Sequence, residues 1–320
     1  MLKRFLIILL LGLTVAGASI GNGQPAFAQQ AEKLTLLLDW FVNPDHAPII
    51  IARERGLFAK HGLDVQFIEP SDPSAPPRLI AAGQGDIAVS YKPSYTRAIG
   101  SGIPVVRIGT LVSTPLNTLT VLADGPVKTL ADLKGRTIGY SGSGIHDMML
   151  KAMLKSVALT EADVKLVNVN FALSIALVSG RVDAIIGGFR NFEGTEIEIA
   201  GKKPKMFFPE EHGVPAYDEL IYIVKQDRFA EEKFNRFLDA IEEATMVLFN
   251  DPEASWMSFI KAYPKLDDRL NKQAWADTLR RFQAAPRAAD PERYLRVARF
   301  MRDAGIIKQV EPIQRYLGAR

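Results

Sequence analysis

Residues 36–52 read LLLDWFVNPDHAPIIIA, an apolar run interrupted by Asp39, Trp40, Asn43, Asp45 and His46 before the apolar character resumes. A short apolar run, a polar turn with Asn and Pro, and a second apolar run read as a buried strand, a loop and a buried helix. That unit is the building block of α/β folds. In open α/β sheets, ligands bind at loops leaving the C-terminal ends of strands, where these polar residues fall. Asp45 is a plausible N-cap for the helix, and Trp40 serves equally as a core aromatic or as a stacking surface for a planar ligand. His46 reads as a hydrogen bond at the helix start, because neither HxH nor HExxH spacing surrounds it.

The same grammar continues along the chain. Short runs rich in Val and Ile alternate with helical-period segments from Leu34 to about Val224, the pattern of an α/β protein with largely parallel sheets. The candidate strands are LTLLLDW, LDVQFIEP, DIAVSY, VVRIGTLV, LTVLAD, RTIGYS, VKLVNVN, DAIIGG, PKMFFP and ELIYIVK. Ten strands exceed what one small sheet usually carries. RLIAAGQGDIAVSYKPS and IALVSGRVDAIIGGFRN share one design of amphipathic helix, Gly turn, Asp, strand and polar loop. The repeat points to two similar α/β lobes. After Val224 the period becomes helical, with Phe229, Phe234, Phe237, Leu238, Ile241, Ala244 and Leu248 on one stripe.

Composition narrows the function. The N-terminal MLKRFLIILLLGLTVAGA, followed by AFA at 26–28, reads as an export signal over residues 1–28 that leaves Gln29 first. Its apolar run is shorter than the roughly 20 residues of a spanning helix. The formal charge of +3 includes Lys3 and Arg4, and acids and bases are interspersed, which argues against nucleic acid or an anionic membrane as partner. An exported chain without cysteine fits a periplasmic protein free in solution. The absence of cysteine also removes thiol catalysis, iron–sulfur clusters and Cys-type zinc sites. No cofactor and no metal site is expected.

Three loops leave strands and enter helices. The first is the opening segment. The second, GYSGSGIHDMMLKAML, presents Ser141, Gly142, Ser143 and Gly144 before a helix start, where loop amides can hold anions or carbonyl oxygens. It matches neither GxGxxG nor GxSxG, so dinucleotide binding and a hydrolase serine are poorly supported. In the third, IIGGFRNFEGTEIE, Phe189, Asn191 and Glu193 follow two glycines. Glu193 either begins the next helix or faces a ligand. With Trp40 and Tyr91, these residues suggest a flat, nitrogen-rich guest held between rings and hydrogen-bonded to acids.

The stretches LLLDWFVNPDHAPIIIARERGLFAKHGLDVQFIEP, GQGDIAVSY, TLADLKGRTIGYSGSG and GRVDAIIGGFRNFEG resemble the thiamine-precursor branch of the periplasmic solute-binding proteins, related to the yeast-type thiamine pyrimidine synthase. The resemblance implies an α/β, two-lobed, type II binding-protein fold with the ligand between the lobes. It implies lobe one at residues 29–124 and 217–320, lobe two at 125–216, and C-terminal helices on lobe one. Matching pocket positions are Asp39, Trp40, Asn43 and Tyr91 from lobe one, and Ser141, Gly142, Ser143, Gly144, Phe189 and Glu193 from lobe two. The implied ligand is a formylated aminomethylpyrimidine or a related aminopyrimidine. The implied partners are that small molecule and an ABC permease with its ATPase, served by a monomer. Riboflavin, a sulfonate such as taurine, and nitrate are the rival guests. The synthase is the rival activity, but Ser90 and Ser94 stand where it carries a lysine and a histidine, and its cysteines are missing. Arg190 departs from the branch and raises the possibility of an anionic group at the pocket.

Overall fold

The computed structural model describes residues 31–142 and 146–318. The export signal read at 1–28, and Ser143 and Gly144, lie outside the described residues. Ten strands run in chain order: β1 Glu32–Leu37, β2 Leu63–Ile68, β3 Ile87–Tyr91, β4 Val105–Val112, β5 Asn117–Leu122, β6 Thr137–Tyr140, β7 Lys165–Asn168, β8 Ala184–Phe189, β9 Pro204–Phe207 and β10 Leu220–Lys225. Each overlaps one of the ten apolar runs read from the sequence.

They form two five-stranded sheets, β2-β1-β3-β10-β4 and β7-β6-β8-β5-β9. The sheets are mixed, not largely parallel. In the first, β1 pairs parallel with β2 and β3, while β10 runs antiparallel to β3 and β4. In the second, β6 pairs parallel with β7 and β8, while β5 runs antiparallel to β8 and β9. Each antiparallel strand holds the fourth place of its sheet and is the one that arrives from the other sheet. Hydrophobic runs report burial and not direction, so this exchange left no mark in the pattern.

The first crossing therefore falls at residues 113–116 and not after Asp124, because β5 pairs in the second sheet. The return crossing lies between β9 and β10. One carboxylate ties the two crossings. Glu219 accepts from Leu116 N (2.6 Å), Asn117 N (3.2 Å), Asn117 Nδ2 (2.5 Å) and the Tyr217 hydroxyl (3.1 Å). It is fully buried, and burial raises its pKa to about 7 against the lowering effect of those donors.

The opening segment folds as strand, turn and helix. Asn43, with extended backbone, accepts from Asp45 N at 2.8 Å through Oδ1, and Pro44 occupies the first position of the turn Pro44–His46. The helix Ala47–Glu54 follows, and Ile49, Ile50, Ile51 and Ala52 are all fully buried. A helix apolar on every side must be covered on every side. The helices Glu232–Asn250 and Pro252–Ala262 pack against it. Each buried Ile contributes about 1.5–3 kcal/mol relative to exposure. The helical stripe read after Val224 places Phe234, Phe237, Leu238, Ile241, Ala244 and Leu248 in this core, with Phe237 stacked on Phe58 at 5.6 Å. Trp256 and Trp275 pack with Phe259 in the same core.

Candidate functional site

The loop after β1 builds one wall. Asp39 is buried and its Oδ1 lies 3.0 Å from His46 Nε2. His46 Nδ1 accepts the backbone N–H of Asn43 at 3.3 Å, completing a capping box in which imidazole replaces the usual Glu. With Nδ1 as acceptor, Nε2 carries the proton and donates it to Asp39. Asn43, not Asp45, is thus the N-cap, and His46 orients Asp39. Tyr91, at the end of β3, donates its hydroxyl to the Asp39 carbonyl at 3.4 Å, and its ring meets Phe189 edge-on at 6.1 Å.

The β8 loop builds the facing wall. Phe189 ends the strand, and Glu193 opens the helix Glu193–Ile199 and turns back to accept the Phe189 N–H at 2.5 Å. Gly188 leaves room for this fold-back, since a Cβ there would stand 3.2 Å from Glu193 Cγ, a tight contact. Burial, with Glu196 adding repulsion, pushes the Glu193 carboxyl up to about 8. At neutral pH the group is mainly an uncharged acid, able to donate as well as accept.

Between the walls lies a small cavity. Its lining joins Asp39, Trp40, Asn43 and Tyr91 to Phe189 and Glu193, as read from the sequence. Asp45, Leu173, Gly187 and Phe192 complete it. Three carboxyl side chains and four aromatic rings face this space, and among the described residues no Lys or Arg does. Trp40 also meets Phe171, which sits on the β7 side, at 4.6 Å and 65°. Phe171 follows Asn170, whose φ of 51° is held by an Asn168 side chain accepting Asn170 N at 2.8 Å. The Asn-Val-Asn spacing of such a turn was the available signal for Phe171. Phe192 and Leu173 carried none beyond apolarity.

Other candidates stand elsewhere. Asn191 does not line the cavity. It is buried and donates through Nδ2 to Asp45 Oδ1 and to Thr278 Oγ1, both at 2.7 Å. Thr278 Oγ1 also lies 2.7 Å from Asp45 Oδ1. Asp45 is therefore held across the seam between the β8 loop and the helix Arg269–Thr278, and burial raises its pKa. Ser141 and Gly142 are buried but do not line the cavity. Arg190 is drawn away by a bidentate pair with Glu210 (2.7 and 3.0 Å) and donates to the Leu116 and Asn117 carbonyls at 3.3 and 3.2 Å. It clamps the first crossing and does not line the cavity. Among the described residues, no group of three or more His, Asp or Glu is placed to hold a metal ion.

The family model described as NMT1/THI5 like matches residues 43–255. A Haemophilus influenzae protein named as a thiamine biosynthesis protein is 45% identical over 293 residues, 91% of this chain and 93% of its own. The formylaminopyrimidine-binding protein of Halalkalibacterium halodurans is 35% identical over 231 residues, 72% of this chain and 70% of its own. A Uromyces fabae 4-amino-5-hydroxymethyl-2-methylpyrimidine phosphate synthase is 29% identical, covering 75% and 74%. Among solved structures, the periplasmic aliphatic sulphonate binding protein of Escherichia coli superposes with a TM-score of 0.67 at 18% identity, covering 89% of this chain and 97% of its own. A Candida albicans gene product exhibiting the generic periplasmic binding protein structural fold gives 0.67 at 14%, covering 88% and 92%. At such identities the likeness shows the fold, and that fold is the periplasmic binding protein fold.

Proposed function

Because the chain belongs to the NMT1/THI5-like family, we propose that it is the substrate-binding protein of an ABC importer, and that its guest is a thiamine pyrimidine precursor of the formylaminopyrimidine kind. The observation that carries this reading is the lining itself: Asp39, Asp45 and Glu193 among Trp40, Tyr91, Phe189 and Phe192, with no Lys or Arg among the described residues there. An aminopyrimidine has π-faces for the rings and exocyclic N–H donors for the acids. A neutral Glu193 presents one O–H donor and one acceptor, the complement of a ring nitrogen beside an amine. A sulfonate or nitrate offers only acceptors and would leave the carboxyls of a buried site unpaired, a loss of several kcal/mol.

Lobe one comprises the first sheet, residues 31–112 and 220–318, and lobe two residues 117–207, with the two crossings as the hinge. The protein acts in the periplasm as a monomer after loss of its signal, and the guest-closed form docks on the permease. Binding rather than synthesis is supported by the absence of cysteine from the chain and by Ser90 and Ser94, neither of which lines the cavity. A thermal-shift panel on the chain from Gln29, with aminopyrimidines, thiamine, riboflavin and taurine, tests the reading. A guest at a hundredfold its Kd adds about 2.7 kcal/mol of stability. Stabilisation by taurine alone overturns it.

A further inference from the structure

Asp45 belongs both to the cavity wall and to the seam between the lobes. It sits on lobe one in the turn Pro44–His46, and its Oδ1 takes Asn191 Nδ2 from lobe two and the Thr278 hydroxyl from the C-terminal helices. Its Oδ2 has no partner among the described residues, yet it is not among the sealed polar atoms, and the residue lines the cavity. An ionised carboxyl has about four acceptor positions, so a guest N–H finds an open one here.

Without a guest the seam is poorly satisfied. The single Thr278 proton has a second acceptor in the Ala274 carbonyl, also at 2.7 Å, and turning to it deprives Asp45 of a donor. Closing also buries Asn191 Oδ1 with no partner among the described residues. Both features oppose closure of the empty protein. Parting of the lobes would separate Asn191 from Asp45 and let water hydrate the carboxylate. A guest that binds the closed arrangement better shifts the equilibrium by that difference in affinity.

We propose that Asp45 couples guest binding to lobe closure: Oδ1 gathers the cross-lobe donor Asn191 Nδ2 and the Thr278 hydroxyl of its own lobe while Oδ2 receives an N–H of the guest, so each contact strengthens the other. The guest's N–H rests on the aminopyrimidine reading, whereas the seam does not. Asn191 and Thr278 are thus positioning residues that act on a guest neither of them touches.

The cysteine-free chain accepts one dye per lobe through Asp64→Cys on β2 and Lys165→Cys on β7, both exposed. Single-molecule energy transfer then reads closure, with N-formyl-4-amino-5-aminomethyl-2-methylpyrimidine as the guest. Asn191→Ala is expected to weaken binding about tenfold, through faster dissociation, and to lower the closed fraction at a given guest concentration. Thr278→Val is expected to act in the same direction with an unchanged fold. Asp45→Asn loses both properties, and the Asp45→Asn/Asn191→Ala double variant binds no worse than Asp45→Asn alone. Wild-type affinity and closure in Asn191→Ala and Thr278→Val, or losses that multiply in the double variant, overturn the coupling. If wild-type protein ignores this guest, the aminopyrimidine reading fails. The seam is then decided without guest, where an Asn191→Ala transfer distribution identical to wild type overturns it.

Discussion

Two buried glutamates, Glu219 at the hinge and Glu193 in the cleft, start from the same chemistry and end in different roles. Glu219 receives four donors from both crossings. Glu193 receives the Phe189 amide and its own backbone N–H, and lines the cavity. Burial raises both, to about 7 and about 8. A buried carboxyl surrounded by protein donors is a structural tie. One that is buried, under-supplied and beside empty space is held for a partner the chain does not provide.

The largest test exchanges the two sites. Glu219→Ala leaves the Leu116 and Asn117 amides, the Asn117 side chain and Tyr217 without their acceptor, and is expected to cost about 3 kcal/mol of stability in denaturant unfolding. Glu193→Ala, in protein without guest, removes a desolvated carboxyl and costs less than about 1 kcal/mol. Equal losses would dissolve the distinction between tie and held group.

Trp40→Ala comes next, with an expected affinity loss of about 2 kcal/mol for an aminopyrimidine by calorimetry and little change in melting temperature. The indole is only half-buried and meets Phe171 across the cleft, so its removal opens no core cavity. A fall of many degrees in melting temperature with unchanged affinity would make Trp40 a core residue.

The contrast also explains what could be read in advance. The ten strands were legible because Val- and Ile-rich runs mark burial locally. The walls Asp39, Trp40, Tyr91, Phe189 and Glu193 were legible because they sit where strands hand over to helices. The crossing at 113–116 was not, since what fixes it is a side chain about a hundred residues away, and Glu219 itself reads only as the polar start of ELIYIVK. Asn191 and Arg190 failed for the same reason: their neighbours in sequence border the cavity, but Asp45, Thr278 and Glu210 claim their side chains. Residue type located the loops, and long-range partners decided which side chains were free to face a guest.

Glu193→Gln is a subtler probe of the cleft. The amide keeps a donor and an acceptor but fixes which atom is which, and it is expected to lose about 1–2 kcal/mol of guest affinity with stability nearly intact. Unchanged affinity would demote Glu193 to a helix start.

The smallest effect is in pH. Both carboxyls are raised above their unfolded values, so between about pH 4.5 and their folded pKa values the folded chain holds protons that the unfolded chain has released. The stability these two carboxyls contribute to the guest-free protein therefore falls as pH rises through this window, while buried Lys92, lowered to about 7, contributes stability that grows above that pH. The Glu219 contribution is spent near pH 7 and that of Glu193 near pH 8. Glu193→Gln removes at most one proton from the balance, about 1.4 kcal/mol per pH unit, so the variant's stability falls less steeply than wild type between about pH 4.5 and 8, while the Glu219 share of the fall, ending near pH 7, stays in place. Superimposed wild-type and variant profiles would mean that the guest-free lobes part far enough to hydrate Glu193. The tie at Glu219 would then remain buried in both states, and only the cleft carboxyl would change its surroundings when the guest arrives.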